Sequence, residues 1–259
     1  MNSLRQLDLL SWGSISLLPF LALKEGAHIR VFGPSYGLGV VEVGNLFPSN
    51  TTFLPNLIGL NKLRWYPVAH DILMEFTGPN GSFSILLPWS EPQAPTADSL
   101  PLGEVEELYC ESIGTASSVI IAHELNRMID SIPTMRQLRK LTFAMCTSSF
   151  IQAVLTNLNR ATHLKSITFS HCDHPDPTHD VPRTLLFFAK RRESVNAKPE
   201  EIRVICRANT RWPESVDRRF KVVKSVTLVH QSPSKTRWTN IKIRRRFPAS
   251  IQKAYSPYH

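Results

Sequence analysis

The feature that most constrains this chain is a phrase it repeats. Leu138-Arg-Lys-Leu141-Thr-Phe143-Ala-Met-Cys146 and Leu164-Lys-Ser-Ile167-Thr-Phe169-Ser-His-Cys172 share the form L-x-x-L-x-F-x-x-C, with Ile standing for the second Leu. Val105-Glu-Glu-Leu108-Tyr-Cys110, Val223-Lys-Ser-Val226-Thr-Leu228 and Leu4-Arg-Gln-Leu7-Asp-Leu9 begin the same way, and looser copies sit at Ile29/Val31, Leu63/Trp65 and Ile202/Val204. With the middle apolar residue as anchor, the copies fall at 7, 29, 63, 108, 141, 167, 202 and 226, spaced irregularly by 22 to 45 residues. Recurrence on this scale means one supersecondary unit per copy, each needing its neighbours to bury its apolar face.

The residues beside the anchors say which unit. Successive side chains of a strand point to opposite faces. The positions before and after each anchor are Gln6/Asp8, His28/Arg30, Lys62/Arg64, Glu107/Tyr109, Lys140/Thr142, Ser166/Thr168, Glu201/Arg203 and Ser225/Thr227, all polar, whereas every anchor and its i+2 partner is apolar or Cys. This pattern predicts strands with one buried face and one wet face. Helical periodicity fills the gaps: 118–132, ended by Pro133; 148–162, capped by Ser148 and burying Ile151, Val154, Leu155 and Leu158; 184–195; and a short helix after Pro213. Strands alternating with helices predict a parallel sheet with crossover helices. In the first half, Ile72–Phe76 and Phe83–Leu87 read as a β-hairpin around Asn80-Gly81, and the four prolines of 88–102 read as a loop. The expected architecture is α/β: an irregular, leucine-rich-repeat-like curved solenoid over 1–230 with a hairpin insertion in its N-terminal half.

The 259 residues carry a formal charge of +9, but 231–259 holds seven Lys/Arg and no Asp or Glu, which leaves about +2 for 1–230. The repeat region is therefore nearly neutral, and its charge is no nucleic-acid footprint. The tail has few apolar residues at any period and reads as basic and disordered. Its run Lys242-Ile-Arg-Arg-Arg246, with Trp238, Phe247 and Tyr255 nearby, is the basis of an alternative reading, a nucleic-acid or nuclear role through the tail. The apolar stretch from Leu9 to Leu23 is too short to span a bilayer, holds Pro19, and lacks a cleavage site, so neither membrane segment nor secretion signal is expected. Cys110, Cys146, Cys172 and Cys206 form no C-x-x-C pair and read as reduced, buried thiols of a cytoplasmic or nuclear protein.

The repeated phrases, together with Leu185-Leu-Phe-Phe-Ala-Lys-Arg-Arg and Pro199-Glu-Glu-Ile-Arg-Val-Ile-Cys206, resemble the leucine-rich-repeat-like region of F-box-like proteins of mushroom-forming fungi. The resemblance covers roughly 1–230 and lies in pattern and phrasing; no F-box is recognisable ahead of the first strand-like copy. It implies a repeat scaffold whose open strand face binds proteins, as in the substrate-recognition part of a ubiquitin-ligase F-box-type protein docked to a ligase adaptor.

No catalytic, cofactor or metal constellation survives scrutiny. Gly33-Pro-Ser35-Tyr-Gly37 matches G-x-S-x-G, but the Gly- and Val-rich segment 38–43 is no elbow helix, so a turn is expected. His171, Cys172, Asp173, His174, His179 and Asp180 are of ligand type, yet Pro175 and Pro177 stiffen the segment and the spacing fits no zinc pattern, so it reads as a solvated loop. His123-Glu124 lacks the second His of H-E-x-x-H, since Arg127 stands there. Glu104, Glu106, Glu107 and Glu111 read as solvated charges. The expectation is a non-enzymatic protein-binding scaffold without cofactor or metal, presenting Lys62, Arg64, Glu107, Tyr109, Lys140, Thr142, Thr168 and Arg203. Eight of the sixteen flanking positions are charged, five basic and three acidic, a mixed face that suits a protein partner better than DNA. Tyr109 is the anchor candidate.

Overall fold

The computed structural model describes residues 5–9, 23, 25–32, 55–68, 71–87, 100, 102–113, 129–158, 163–172, 181–194, 199–207 and 225–231. Ten strands are described: β1 (Gln6–Leu9), β2 (His28–Phe32), β3 (Lys62–Val68), β4 (Asp71–Gly78), β5 (Gly81–Leu87), β6 (Glu107–Glu111), β7 (Lys140–Ala144), β8 (Ser166–Ser170), β9 (Glu201–Arg207) and β10 (Ser225–Gln231). They form one open, mixed sheet in the order β1-β2-β5-β4-β3-β6-β7-β8-β9-β10. Every neighbouring pair is parallel except β3/β4 and β4/β5, so β4 alone runs against the rest.

The anchors fall into a single lateral row. Leu7, Ile29, Phe83, Phe76, Leu63, Leu108, Leu141, Ile167, Ile202 and Val226 are register partners from one edge of the sheet to the other. From Ile29 to Ile202 each is at most 1 % exposed. Two residues on runs a second buried row, through Val31, Ile85, Met74, Trp65, Cys110, Phe143, Phe169 and Val204. Strand alternation sends the residues between these rows to the other face.

The repetition extends to the backbone at both ends of the strands. At the start, the carbonyl of Asn61 accepts from the amides of Glu106 (2.7 Å) and Glu107 (3.1 Å); those of Glu106, Arg139 and Lys165 accept in the same two-fold way from Arg139/Lys140, Lys165/Ser166 and Glu200/Glu201. At the far end, Ser112, Met145 and His171 adopt left-handed φ of 52°, 53° and 52°. Their amides donate to Ala144, Ser170 and Ile205 in the next strand, each at 2.8 Å. The Cys of the repeated phrase follows this turn. The Cys146 thiol donates to the carbonyl of Cys110 (3.3 Å) and the Cys172 thiol to that of Phe143 (3.4 Å), Cys110 and Phe143 themselves being register partners.

Helix α1 (Ser148–Asn157) lies on the anchor face, where Phe150, Ile151, Val154 and Leu155 are buried and Phe150 meets Phe143 edge-on at 6.2 Å. Its cap is Thr147 rather than Ser148: Thr147 holds an extended backbone, and its hydroxyl accepts from the Phe150 amide at 3.4 Å. The helix ends at Asn157, short of the expected 162. Helix α2 (Val181–Ser194) starts three residues before the expected 184, with Pro182 in the first turn, where its missing N–H costs nothing. Phe188 and Ala189 join the same core, and α2 packs on α1. Of the expected helix 118–132 the described residues hold 129–131, which run on into a 3-10 turn, Ile132–Thr134. The α-helical residues thus end at Ser131, before Pro133 as expected, and Pro133 sits inside the 3-10 turn. The helix expected after Pro213 lies outside the described residues, as does the tail beyond Gln231, which itself closes β10.

The hairpin is present, but its loop is Pro79-Asn80, one residue earlier than expected, because Gly78 pairs with Gly81. A Cβ on Gly78 would sit 2.3 Å from the Gly59 carbonyl oxygen, so the backbone approach requires glycine. The meander β3-β4-β5 is laid into the sheet back to front. β5 joins β2, while β3 joins β6 and continues the run of parallel strands. No helix among the described residues is long and apolar enough to cross a membrane.

Candidate functional site

The two polar rows flanking the anchors lie on the face away from α1 and α2. The first reads Gln6, His28, Ser82, Thr77, Lys62, Glu107, Lys140, Ser166, Glu201, Ser225; the second reads Asp8, Arg30, Ser84, Glu75, Arg64, Tyr109, Thr142, Thr168, Arg203, Thr227. All eight residues expected to form a partner face lie in adjacent register positions over β3, β6, β7, β8 and β9.

A uniformly wet face is not what folds. Over β2, β4 and β5, Arg30, Glu75 and Ser84 are buried. Burying a charge costs heavily unless it is paired, and Arg30 is gripped by both carboxylate oxygens of Asp8, at 2.7 and 2.6 Å. The ring of His28 bridges two hydroxyls, Ser82 at Nδ1 and Ser84 at Nε2, the latter at 3.2 Å. One register step beyond Glu75 and Ser84, Leu73 and Leu86 point to the same face and are also buried.

Over β3 and β6–β9 the residues of the two polar rows are half-buried or exposed, whereas Ala144 and Ser170, two residues further along the same face, are buried. Lys62 and Lys140, both exposed, flank Glu107 at 3.6 and 2.9 Å across three strands. Burial pushes the Glu107 carboxyl up, but its hydrogen bond to Lys140 and the charges of Lys62 and Lys140 outweigh this and hold it below the usual glutamate value. The Lys140 ammonium is raised by the same hydrogen bond. Pairs this exposed contribute about 0–1 kcal/mol each, so they position charge more than they stabilise the fold.

One step inward, Arg64 is held from three sides. Its guanidinium lies 4.8 Å from the Tyr66 ring centre and 5.6 Å from that of Tyr109. Both Nε (3.1 Å) and a terminal nitrogen bond Glu111 Oε2. Burial lowers Arg64, and the hydrogen bond and charge of Glu111 more than restore it. Burial, with the Glu111 carboxylate, pushes the Tyr109 phenol well up, so it stays a neutral hydroxyl. Toward β9 the floor turns to hydroxyls, with Thr142, Thr168 and Ser166 half-buried and Arg203 exposed. Tyr66 and Glu111 were missing from the expected face. Both stand two residues beyond a chosen position, Tyr66 after Arg64 and Glu111 after Tyr109, so carrying the alternation one step further along the strands would have found them.

The remaining expected motifs divide. Gly33–Gly37, His123-Glu124, and Asp173, His174, His179 and Asp180 lie outside the described residues. His171 and Cys172 occupy the left-handed turn after β8, where the thiol bonds a carbonyl. Among the described residues no group of three or more His, Cys, Asp or Glu is placed to hold a metal ion. Cys110, Cys146 and Cys172 carry no disulfide. No protein-family model, curated protein or solved structure matches the chain.

Proposed function

We propose that this chain is a non-enzymatic, leucine-rich-repeat-like scaffold that binds a protein partner on the open stretch of its polar face, over β3 and β6–β9. The observation that carries this reading is the unbroken register of polar residues Lys62/Glu107/Lys140 and Arg64/Tyr109/Thr142/Thr168/Arg203 on a face that α1 and α2 leave clear. The repeated two-fold carbonyls at strand starts and the thiol ladder of Cys146 and Cys172 support a solenoid, since L-x-x-L-x-L-x-x-N/C repeats use their last residue in this turn. The resemblance to fungal F-box-like proteins adds a role: a substrate-recognition module for a ubiquitin ligase, working in the cytoplasm or nucleus and reaching the ligase adaptor through a separate segment or protein.

Arg and Tyr dominate the energetics of protein interfaces, and here both are already fixed. Arg64 is clamped by Glu111 and stacked by two tyrosines, so little side-chain freedom is left to lose on binding. The test is affinity capture with mass spectrometry on wild type, Tyr109→Ala and Arg203→Glu. Both variants are expected to lose the captured protein at least tenfold, Arg203→Glu with the melting temperature unchanged and Tyr109→Ala with a lowered one because its ring packs on Arg64, and ligase subunits are expected beside it. Capture unaltered in both variants contradicts the site. A partner without ligase subunits contradicts the ubiquitin role alone.

A further inference from the structure

The last residue of the repeated phrase is Cys in both full copies, Cys146 and Cys172. Their turns share the same left-handed residue: Met145 and His171, just before them, have φ of 53° and 52°. The turns also lie side by side, since the Met145 amide donates to Ser170 at 2.8 Å and the Cys172 thiol reaches back over β7 to Phe143 at 3.4 Å. Equivalent positions on neighbouring parallel strands lie about 4.8 Å apart. A disulfide takes Cα atoms separated by about 4.4–6.8 Å and Cβ atoms by about 3.5–4.5 Å. The two thiols point the same way, each toward a carbonyl of the strand before its own, so bridging asks both to turn off their carbonyls toward each other.

We infer that Cys146 and Cys172 are a peroxide-sensitive pair that closes into a disulfide across β7 and β8. Access sets the order of events. Cys172 is half-buried whereas Cys146 is buried, so the peroxide meets Cys172 first. The Cys172 thiol gives up its proton, the thiolate sulfur takes one peroxide oxygen, the O–O bond breaks, and the departing hydroxide takes up that proton as one water, leaving a sulfenic acid. The Cys146 sulfur then attacks the Cys172 sulfur, the S–S bond forms, and the sulfenic hydroxyl leaves with the Cys146 proton as a second water. Two thiols are oxidised and one peroxide is reduced. Burial, with the neighbouring Cys172, pushes the Cys146 thiol up, so its attack quickens as pH rises. The bridge ties neighbouring repeats covalently at the turn edge of the sheet, beside the polar face rather than on it.

The experiment treats the full chain with hydrogen peroxide, then reads intact mass and a non-reducing tryptic map. The expected result is a loss of about 2 Da, reversed by a thiol reductant, and a linked pair of peptides spanning 141–160 and 166–183. The yield at a fixed time is expected to rise from pH 7 to pH 9, and Cys206→Ala is expected to leave it unchanged. The map of the wild-type protein decides the matter without a core variant. Cys172 accumulating as sulfinic acid with Cys146 still a thiol, or Cys172 linked to Cys206, overturns the inference.

Discussion

Phe143 and Thr142 are neighbours in one strand, and the two-faced sheet assigns them opposite fates. Phe143 is fully buried in the second apolar row, stacked on Phe169 at 5.5 Å with ring planes 16° apart and edge-on to Phe150 at 6.2 Å. Truncating a buried Phe to Ala costs about 3–5 kcal/mol from lost transfer energy and the cavity left behind. Two aromatic partners, each worth about 0.5–1.5 kcal/mol beyond area, put Phe143→Ala at the upper end. That is a third or more of the roughly 5–15 kcal/mol by which a domain is stable. Thr142 is half-buried on the polar face, and Thr142→Ala changes only strand preference, by less than about 1 kcal/mol. Urea titration followed by circular dichroism measures both. The expected outcome is a midpoint for Phe143→Ala far below that of Thr142→Ala, with the slope unaltered. Equal losses in the two variants, or a loss under about 1 kcal/mol for Phe143→Ala, would refute the assignment of faces.

Three further outcomes are expected. Glu107 is held below its usual value in the folded chain, so it stabilises the fold above about pH 5 and this contribution fades as pH falls through the lower folded value. Because the pair is partly exposed the effect is small and screened by salt; Glu107→Gln should make the acid limb of the stability curve shallower, and a steeper limb counts against it. Gly78→Ala forces a Cβ into the Gly59 carbonyl and should cost more than about 1 kcal/mol in thermal unfolding, an unchanged melting temperature being the contrary result. Removing residues 232–259, which hold the seven cations, should leave folding intact and abolish any salt-sensitive retention on nucleic acid; retention that survives the deletion would move that activity onto the sheet.

Much of the sheet was legible because its register is written in period two. The eight anchors chosen from sequence all fall in one row of the structure, and Phe76 and Phe83 complete it. The sequence marks those two only as a hairpin, since local alternation reveals a pair of strands but not which outer strand each will meet. The reversed meander, with β5 against β2, is a long-range choice that no local spacing encodes. The wet face was legible only in part. Arg30, Glu75 and Ser84 look solvent-bound in sequence, and their burial depends on pairing partners such as Asp8 that lie on other strands. A warning was present: Ile72-Leu-Met74 is an apolar run rather than an alternation, as expected where both faces are covered. The cap of α1 falls one residue before the expected Ser148 because Thr147 and Ser148 are both good caps by type, and backbone conformation chooses between them.

The anchor row itself is open to direct measurement. In a protein carrying labelled Leu, Ile and Val methyl groups, parallel strands about 4.8 Å apart place register partners within reach of nuclear Overhauser contacts. Contacts are expected from Leu108 to Leu141, from Leu141 to Ile167, and from Ile167 to Ile202. A spectrum in which Leu141 and Ile167 share no contact, or in which Ile167 meets residues of the polar face instead, would contradict the row and the partner surface built on it.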